Sequence, residues 1–124
     1  RNQVYADSVQ LEQVIRNLIT NALDAMAETP DKMICISSAR LVDMIEIKVS
    51  DNGKGIPKEL RKQVFDPFFT TKQRGQSLGL GLSIAYSIIK RLGGKLSIDE
   101  AQEVGASFCI QLPIYQQGSH EQPE

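Results

Sequence analysis

Between Asp7 and Ala27 the apolar residues Val9, Leu11, Val14, Ile15, Leu18, Ile19, Ala22, Leu23 and Met26 recur at intervals of three and four. This is the stripe of an amphipathic helix, which must bury one side against another element. Asp7 or Ser8 is the expected N-cap, because a short side-chain oxygen accepts the first free backbone N–H groups, and Thr29-Pro30-Asp31 closes the segment. The period then changes. Met33–Ala39 and Met44–Val49 are β-rich runs separated by a short turn, an antiparallel pair whose second member delivers the chain to Asp51. From Asp51 to Leu78 the text is that of a long functional loop, with a short helix expected from Pro57 to about Gln63. Gly79–Leu92 returns to helical spacing through Leu82, Ile84, Ala85, Ile88 and Ile89 and stops at Gly93-Gly94. Two last strands, Lys95–Glu100 and Ala106–Leu112, end at Pro113. Two long helices, one short one and four strands without repeats predict an α/β (α+β) two-layer sandwich, with a mixed, largely antiparallel sheet and helices on one face. Residues 1–115 form that domain, and 116–124 read as a polar tail.

The charge balance removes several functions. Fourteen Lys+Arg against fifteen Asp+Glu leave a net charge of −1, without the basic excess that a nucleic-acid or anionic-lipid binder carries. No apolar run reaches the roughly 18 residues of a membrane span, and the opening residues lack a signal-peptide pattern, so the segment reads as soluble. Cys35 and Cys109 each sit in an apolar, strand-like run, which predicts two buried thiols rather than a disulfide or a metal site.

Four constellations carry chemistry. Asn17, Asn21 and Asp24 lie four and three residues apart on one helical face beside Leu18, Ile19, Ala22 and Leu23. Such a face offers oxygens to a hard cation such as Mg²⁺, or is simply solvated. Asp51-Asn52-Gly53-Lys54-Gly55 follows a strand. It places one strong acceptor beside bare backbone, suited to a flat ligand with an exocyclic amine, or it is an ordinary tight turn. Phe65-Asp66-Pro67-Phe68-Phe69-Thr70-Thr71-Lys72 packs three of the four phenylalanines into five residues, an anchor for the loop base. Thr71 and Lys72 bring a hydroxyl and an ammonium that suit phosphate oxygens. Finally, Gly75-Gln76-Ser77-Leu78-Gly79-Leu80-Gly81-Leu82 runs from loop into helix. Glycines at a helix N-terminus let backbone N–H groups approach an anion, or act as a hinge; the pattern is neither a Walker loop nor a dinucleotide fingerprint.

In this order the four segments resemble the N, G1, F and G2 boxes of the histidine-kinase ATP-binding domain, within the GHKL superfamily of gyrase, heat-shock chaperone and mismatch-repair ATPases. The resemblance runs from Val4-Tyr5-Ala6-Asp7 to Gly105–Pro113, and Asn-Ala-Leu-Asp-Ala-Met is most like the nitrogen-regulation and dicarboxylate sensors. It implies the Bergerat ATP-binding fold, with ATP and Mg²⁺ as ligands. It implies further that Asn21 holds Mg²⁺ against the phosphates, that Asp51 accepts the adenine amine, and that Gly53, Gly55 and Ile56 wall the base. Thr71 and Lys72 belong to the lid by the same resemblance, Leu78, Gly79, Leu80 and Gly81 cradle phosphate, and Asn17 and Lys72 act near the transferring group. Asp24 stands where many sensor kinases carry a basic residue, which implies a water-mediated role or a contact toward the base. Ser77-Leu78 replaces the more usual Gly-Thr.

The hydrolytic branches of the superfamily carry a Glu as general base one turn before the metal Asn. Here that position is Asn17, which cannot take up a proton usefully. Slow hydrolysis and transfer to a histidine are therefore expected, by a cytoplasmic domain whose partners are ATP/ADP, the phosphoacceptor histidine helices of the same or a partner protein, and a response regulator. His120 lies in the polar tail and does not suit that acceptor role, so the phosphoacceptor helices lie outside this chain. Alternatives are an anti-sigma-type serine kinase, a pseudokinase serving as a docking module, and a hydrolytic ATPase; intact Asn21 and Asp51 oppose the second and Asn17 the third.

Overall fold

The computed structural model describes residues 2–66, 78–100 and 104–114. The elements run α1 (Asn2–Ala25), β1 (Ile34–Arg40), β2 (Met44–Asp51), a 3₁₀ turn (Lys58–Leu60), α2 (Leu78–Arg91), β3 (Lys95–Ile98) and β4 (Ser107–Pro113). The strands form one sheet in the order β1-β2-β4-β3. All three pairings are antiparallel, so the expected mixed character is absent among the described strands. Helix α1 begins five residues before Asp7. Asp7 and Ser8 therefore lie inside the helix and do not cap it; α1 extends past the point where the apolar period starts. The expected helix at Pro57–Gln63 is a single 3₁₀ turn, and β3 stops at Ile98.

Register assigns the two sheet faces. Val49 pairs with Phe108, Ile47 with Ile110 and Leu96 with Ile110. These residues join Val14 and Leu18 of α1 and Leu82, Ala85 and Ile89 of α2 in one core, so both helices cover the same face. Only part of the α1 stripe is buried. Val14, Leu18, Ala22 and Met26, four residues apart, are at most 1% exposed, whereas Val9 and Leu23 stand out in solvent. The opposite sheet face carries polar pairs instead: Ser50 Oγ to Ser107 Oγ at 2.8 Å, Lys48 Nζ to Asp99 Oδ2 at 3.1 Å and Gln111 Nε2 to Glu46 Oε2 at 3.1 Å.

Cys109 is buried, as expected, but Cys35 is exposed. The reason is topological: β1 is an edge strand without described cover on either face, and its burial falls away after Ile34. Phe65 supports the expected aromatic anchor. It stacks on Tyr86 of α2 with centroids 5.1 Å apart and meets Phe108 edge-on at 6.2 Å. Phe68 and Phe69 lie outside the described residues. Gly93, at φ 84°, ends α2; its N–H donates to the Lys90 carbonyl and that of Gly94 to the Ile89 carbonyl, satisfying the last carbonyls of the helix.

Candidate nucleotide-binding site

The site is assembled where the C-terminus of α1 meets the turn after β2. The last carbonyls of a helix lack intrahelical donors, and Lys54 N–H donates to that of Ala25 at 3.3 Å. Gly53 lies so close that a Cβ there would stand 2.5 Å from the Ala25 oxygen, so only glycine lets the turn press against the helix end. This contact brings Asn21, one turn earlier on α1, to the same end of the molecule as Asp51.

Asp51 is the centre. It ends β2, is 4% exposed, and its Oδ1 accepts hydrogen bonds from Gly53 N–H at 2.8 Å and Ala106 N–H at 3.4 Å. Its backbone N–H donates to the Ala106 carbonyl at 2.9 Å, so the carboxylate is fixed at both main chain and side chain. Oδ2 has no hydrogen-bond partner among the described residues. Burial pushes the carboxyl pKa up, opposed by the two N–H bonds that favour the charged form. The result is a rigid, poorly solvated acceptor with one oxygen open.

Asn21 is 6% exposed, and its carboxamide makes no hydrogen bond to any described residue. An orphaned buried amide is costly. Its oxygen is a hard donor of the kind Mg²⁺ accepts, so the residue fits the cation that the sequence implied. Asp24, half-buried one turn further on, likewise has no described partner, whereas Asn17 is half-buried and already engaged in an interaction. Ile56 packs against the core and Gly55 sits beside it. The expected phosphate cradle, Leu78 to Gly81, forms the first turn of α2, whose first four N–H groups have no acceptor within the helix. Thr71 and Lys72 lie outside the described residues.

Three contributors escaped the sequence reading. Ala106 supplies an N–H to Asp51 from 55 positions away. Gly105, at φ 72°, presses so closely on β2 that a Cβ would overlap the Asp51 carbonyl. Asn52 pins the segment before β1, its Nδ2 donating to the Asp31 carbonyl at 2.7 Å and its Oδ1 accepting from Met33 N–H at 2.9 Å. A glycine immediately before an apolar strand was the only available signal, and it marks many turns that hold no ligand.

The family model described as histidine kinase-, DNA gyrase B-, and HSP90-like ATPase matches residues 6–116. The chain belongs to this family. Among its relatives, the sensor protein FixL of Bradyrhizobium diazoefficiens is 41% identical over 111 residues, covering 89% of this chain and 22% of that protein. The sensor kinase CckA of Brucella abortus is 40% identical, covering 89% and 13%. The chain thus spans between about an eighth and a quarter of these relatives' length. In solved structures, the catalytic domain of histidine kinase ThkA superposes with a TM-score of 0.74 at 37% identity, over 85% of this chain and 66% of that one. The mycobacterial sensor histidine kinase MprB gives 0.74 at 29% identity, over 86% and 73%. Its fold is the α+β sandwich of those histidine kinase catalytic domains. No described helix is long and apolar enough to cross a membrane.

Proposed function

We propose that this domain, residues 1–115 ahead of a polar tail at 116–124, binds ATP through Asp51 and passes its γ-phosphoryl group to a histidine on helices outside this chain. The observation that carries the reading is the half-satisfied carboxylate of Asp51: Oδ1 is held by two N–H groups while buried Oδ2 is left for a donor. The exocyclic amine of adenine is such a donor, and guanine presents a carbonyl at the corresponding place. Gly53, Gly55 and Ile56 form the wall beside the base. Backbone N–H groups from Leu78 to Gly81 meet the phosphates, with Thr71 and Lys72 contributing from the lid. Mg²⁺ held at Asn21 would neutralise charge on the phosphate oxygens.

In the transfer, a histidine nitrogen forms the new N–P bond as the bond from the γ-phosphorus to the β–γ bridging oxygen breaks, and ADP leaves with that electron pair. Such a reaction asks chiefly for placement and electrostatics. Asn17 supports transfer over hydrolysis, because a carboxamide cannot deprotonate water. The phosphohistidine would then serve a response regulator, and dependence on ATP places the domain on the cytoplasmic side. Asp24, half-buried on the same helix as Asn21, takes a water-mediated role or a contact toward the base.

The test is titration of the chain with ATP and GTP, each with and without Mg²⁺, while phosphate release is followed. Micromolar ATP binding, about −8 kcal/mol, preference over GTP and negligible phosphate release support the reading, which phosphorylation of added phosphoacceptor helices would complete. Absence of nucleotide binding overturns it, and rapid phosphate release assigns the chain to hydrolysis.

A further inference from the structure

No motif marks Arg61, yet its side chain, besides that of Asp51, reaches both sides of the site. It follows the 3₁₀ turn Lys58–Leu60, and its Nε–H donates to the Ile56 carbonyl at 3.1 Å. Its Nη1 lies 3.3 Å from Glu100 Oε1. Ile56 belongs to the segment leaving Asp51, whereas Glu100 begins the connection that returns through Gly105 and Ala106 to hold the Asp51 carboxylate. The Arg61 side chain is 22% exposed, while that of Glu100 is 63% exposed. The Ile56 bond is therefore the stronger half of the clamp, and the ion pair is screened by solvent. A planar guanidinium makes both contacts at once through its fork of donors, which an ammonium does not reproduce.

We propose that Arg61 is a positioning residue for base recognition: by fixing the Ile56 wall relative to Asp51, it sets the discrimination between adenine and guanine nucleotides. The inference rests on the nucleotide reading above. The physical reason is that an acceptor reads a donor only if the opposing wall holds the base in register to within about half an ångström. Asp51 is anchored by its own two N–H bonds, but Ile56 lies five residues further on. Among the described residues Arg61 is the side chain that hydrogen-bonds the Ile56 carbonyl.

The experiment measures ATP and GTP affinities by calorimetry, together with thermal unfolding, for the chain and for Arg61→Met, Arg61→Lys and Glu100→Gln. Arg61→Met is expected to weaken ATP binding about tenfold, since a base out of register loses its hydrogen bond to the charged Asp51 acceptor. GTP affinity should stay unchanged, so the ATP:GTP ratio falls by the same factor. Arg61→Lys, which keeps charge but not the fork, should recover part of this and leave the ratio about threefold below the parent. Glu100→Gln, which cuts the tie to the returning connection, should lower the ratio about two- to threefold, within the range of an exposed ion pair. A lowered unfolding midpoint with an unchanged ratio, or equal weakening of both nucleotides, overturns the proposal and leaves Arg61 a structural residue. Should Arg61→Met fail to fold, a parental ratio in folded Arg61→Lys overturns it equally. If the parent chain itself binds neither nucleotide, or binds both alike, the nucleotide reading falls first and this proposal with it.

Discussion

Replacing Asp51 by Asn separates binding from stability. In the folded chain the carboxylate is 4% exposed, with Oδ1 taken by the N–H groups of Gly53 and Ala106. An asparagine keeps its Oδ1 in that position and turns its NH₂ toward the ligand. The acceptor offered to an exocyclic amine becomes a donor, and one hydrogen bond to a charged group is lost, about 1.5–3 kcal/mol. Affinity for ATP should fall roughly 10- to 150-fold by that loss. Stability should move the other way. Burial raises the Asp51 pKa in the folded chain, so the group contributes stability below its unfolded pKa, near 4, and loses it as pH rises through the higher folded value. At neutral pH the carboxylate is thus a liability that Asn removes, and the melting temperature of the ligand-free variant should equal or exceed the parent's. Calorimetry with ATP and GTP and thermal unfolding between pH 4 and 8 give both quantities. Parental ATP affinity in a folded variant refutes the adenine assignment; a large drop in melting temperature refutes the account of the burial cost.

Asn21→Ala should abolish the strengthening of ATP binding by Mg²⁺ while leaving metal-free affinity intact. Because it removes an unpaired buried amide, unfolding free energy should stay level or rise by about 1 kcal/mol in urea titrations. Gly105→Ala must place a Cβ against the Asp51 carbonyl from a left-handed backbone, so a loss of about 2 kcal/mol or more is expected, together with weakened ATP binding. Cys35 should alkylate rapidly and Cys109 slowly, as followed by mass spectrometry, because Cys35 is exposed while burial pushes the Cys109 thiol up to about 11. At pH 8 only about one Cys109 in a thousand is thiolate. The neutral thiol stabilises the fold below its unfolded pKa, and that contribution is lost as pH approaches 11.

Apolar period made the elements legible, since a helix or strand must show its buried side to the core at a fixed interval. It placed α2 within one residue at each end and located all four strands. It missed where α1 starts, because apolar period marks the buried stripe of a helix and not its first residue. It misjudged Cys35 for a different reason: an apolar run looks alike in a central strand and in an edge strand, and only the order β1-β2-β4-β3 exposes this one. Asn21 and Asp51 stood out as candidate site residues because unusual polar groups stood beside apolar text at motif spacing.

What the sequence determined by itself was thus the class of fold and the family to which the order of its motifs belongs. What the tertiary structure decided was how the segments around Asp51 are held. Ala106 reaches Asp51 across 55 positions, Gly105 packs on its carbonyl, and Arg61 spans from Ile56 to Glu100. Local sequence encodes local backbone preference, but a hydrogen bond between distant segments exists only once the sheet register has set the two strands side by side.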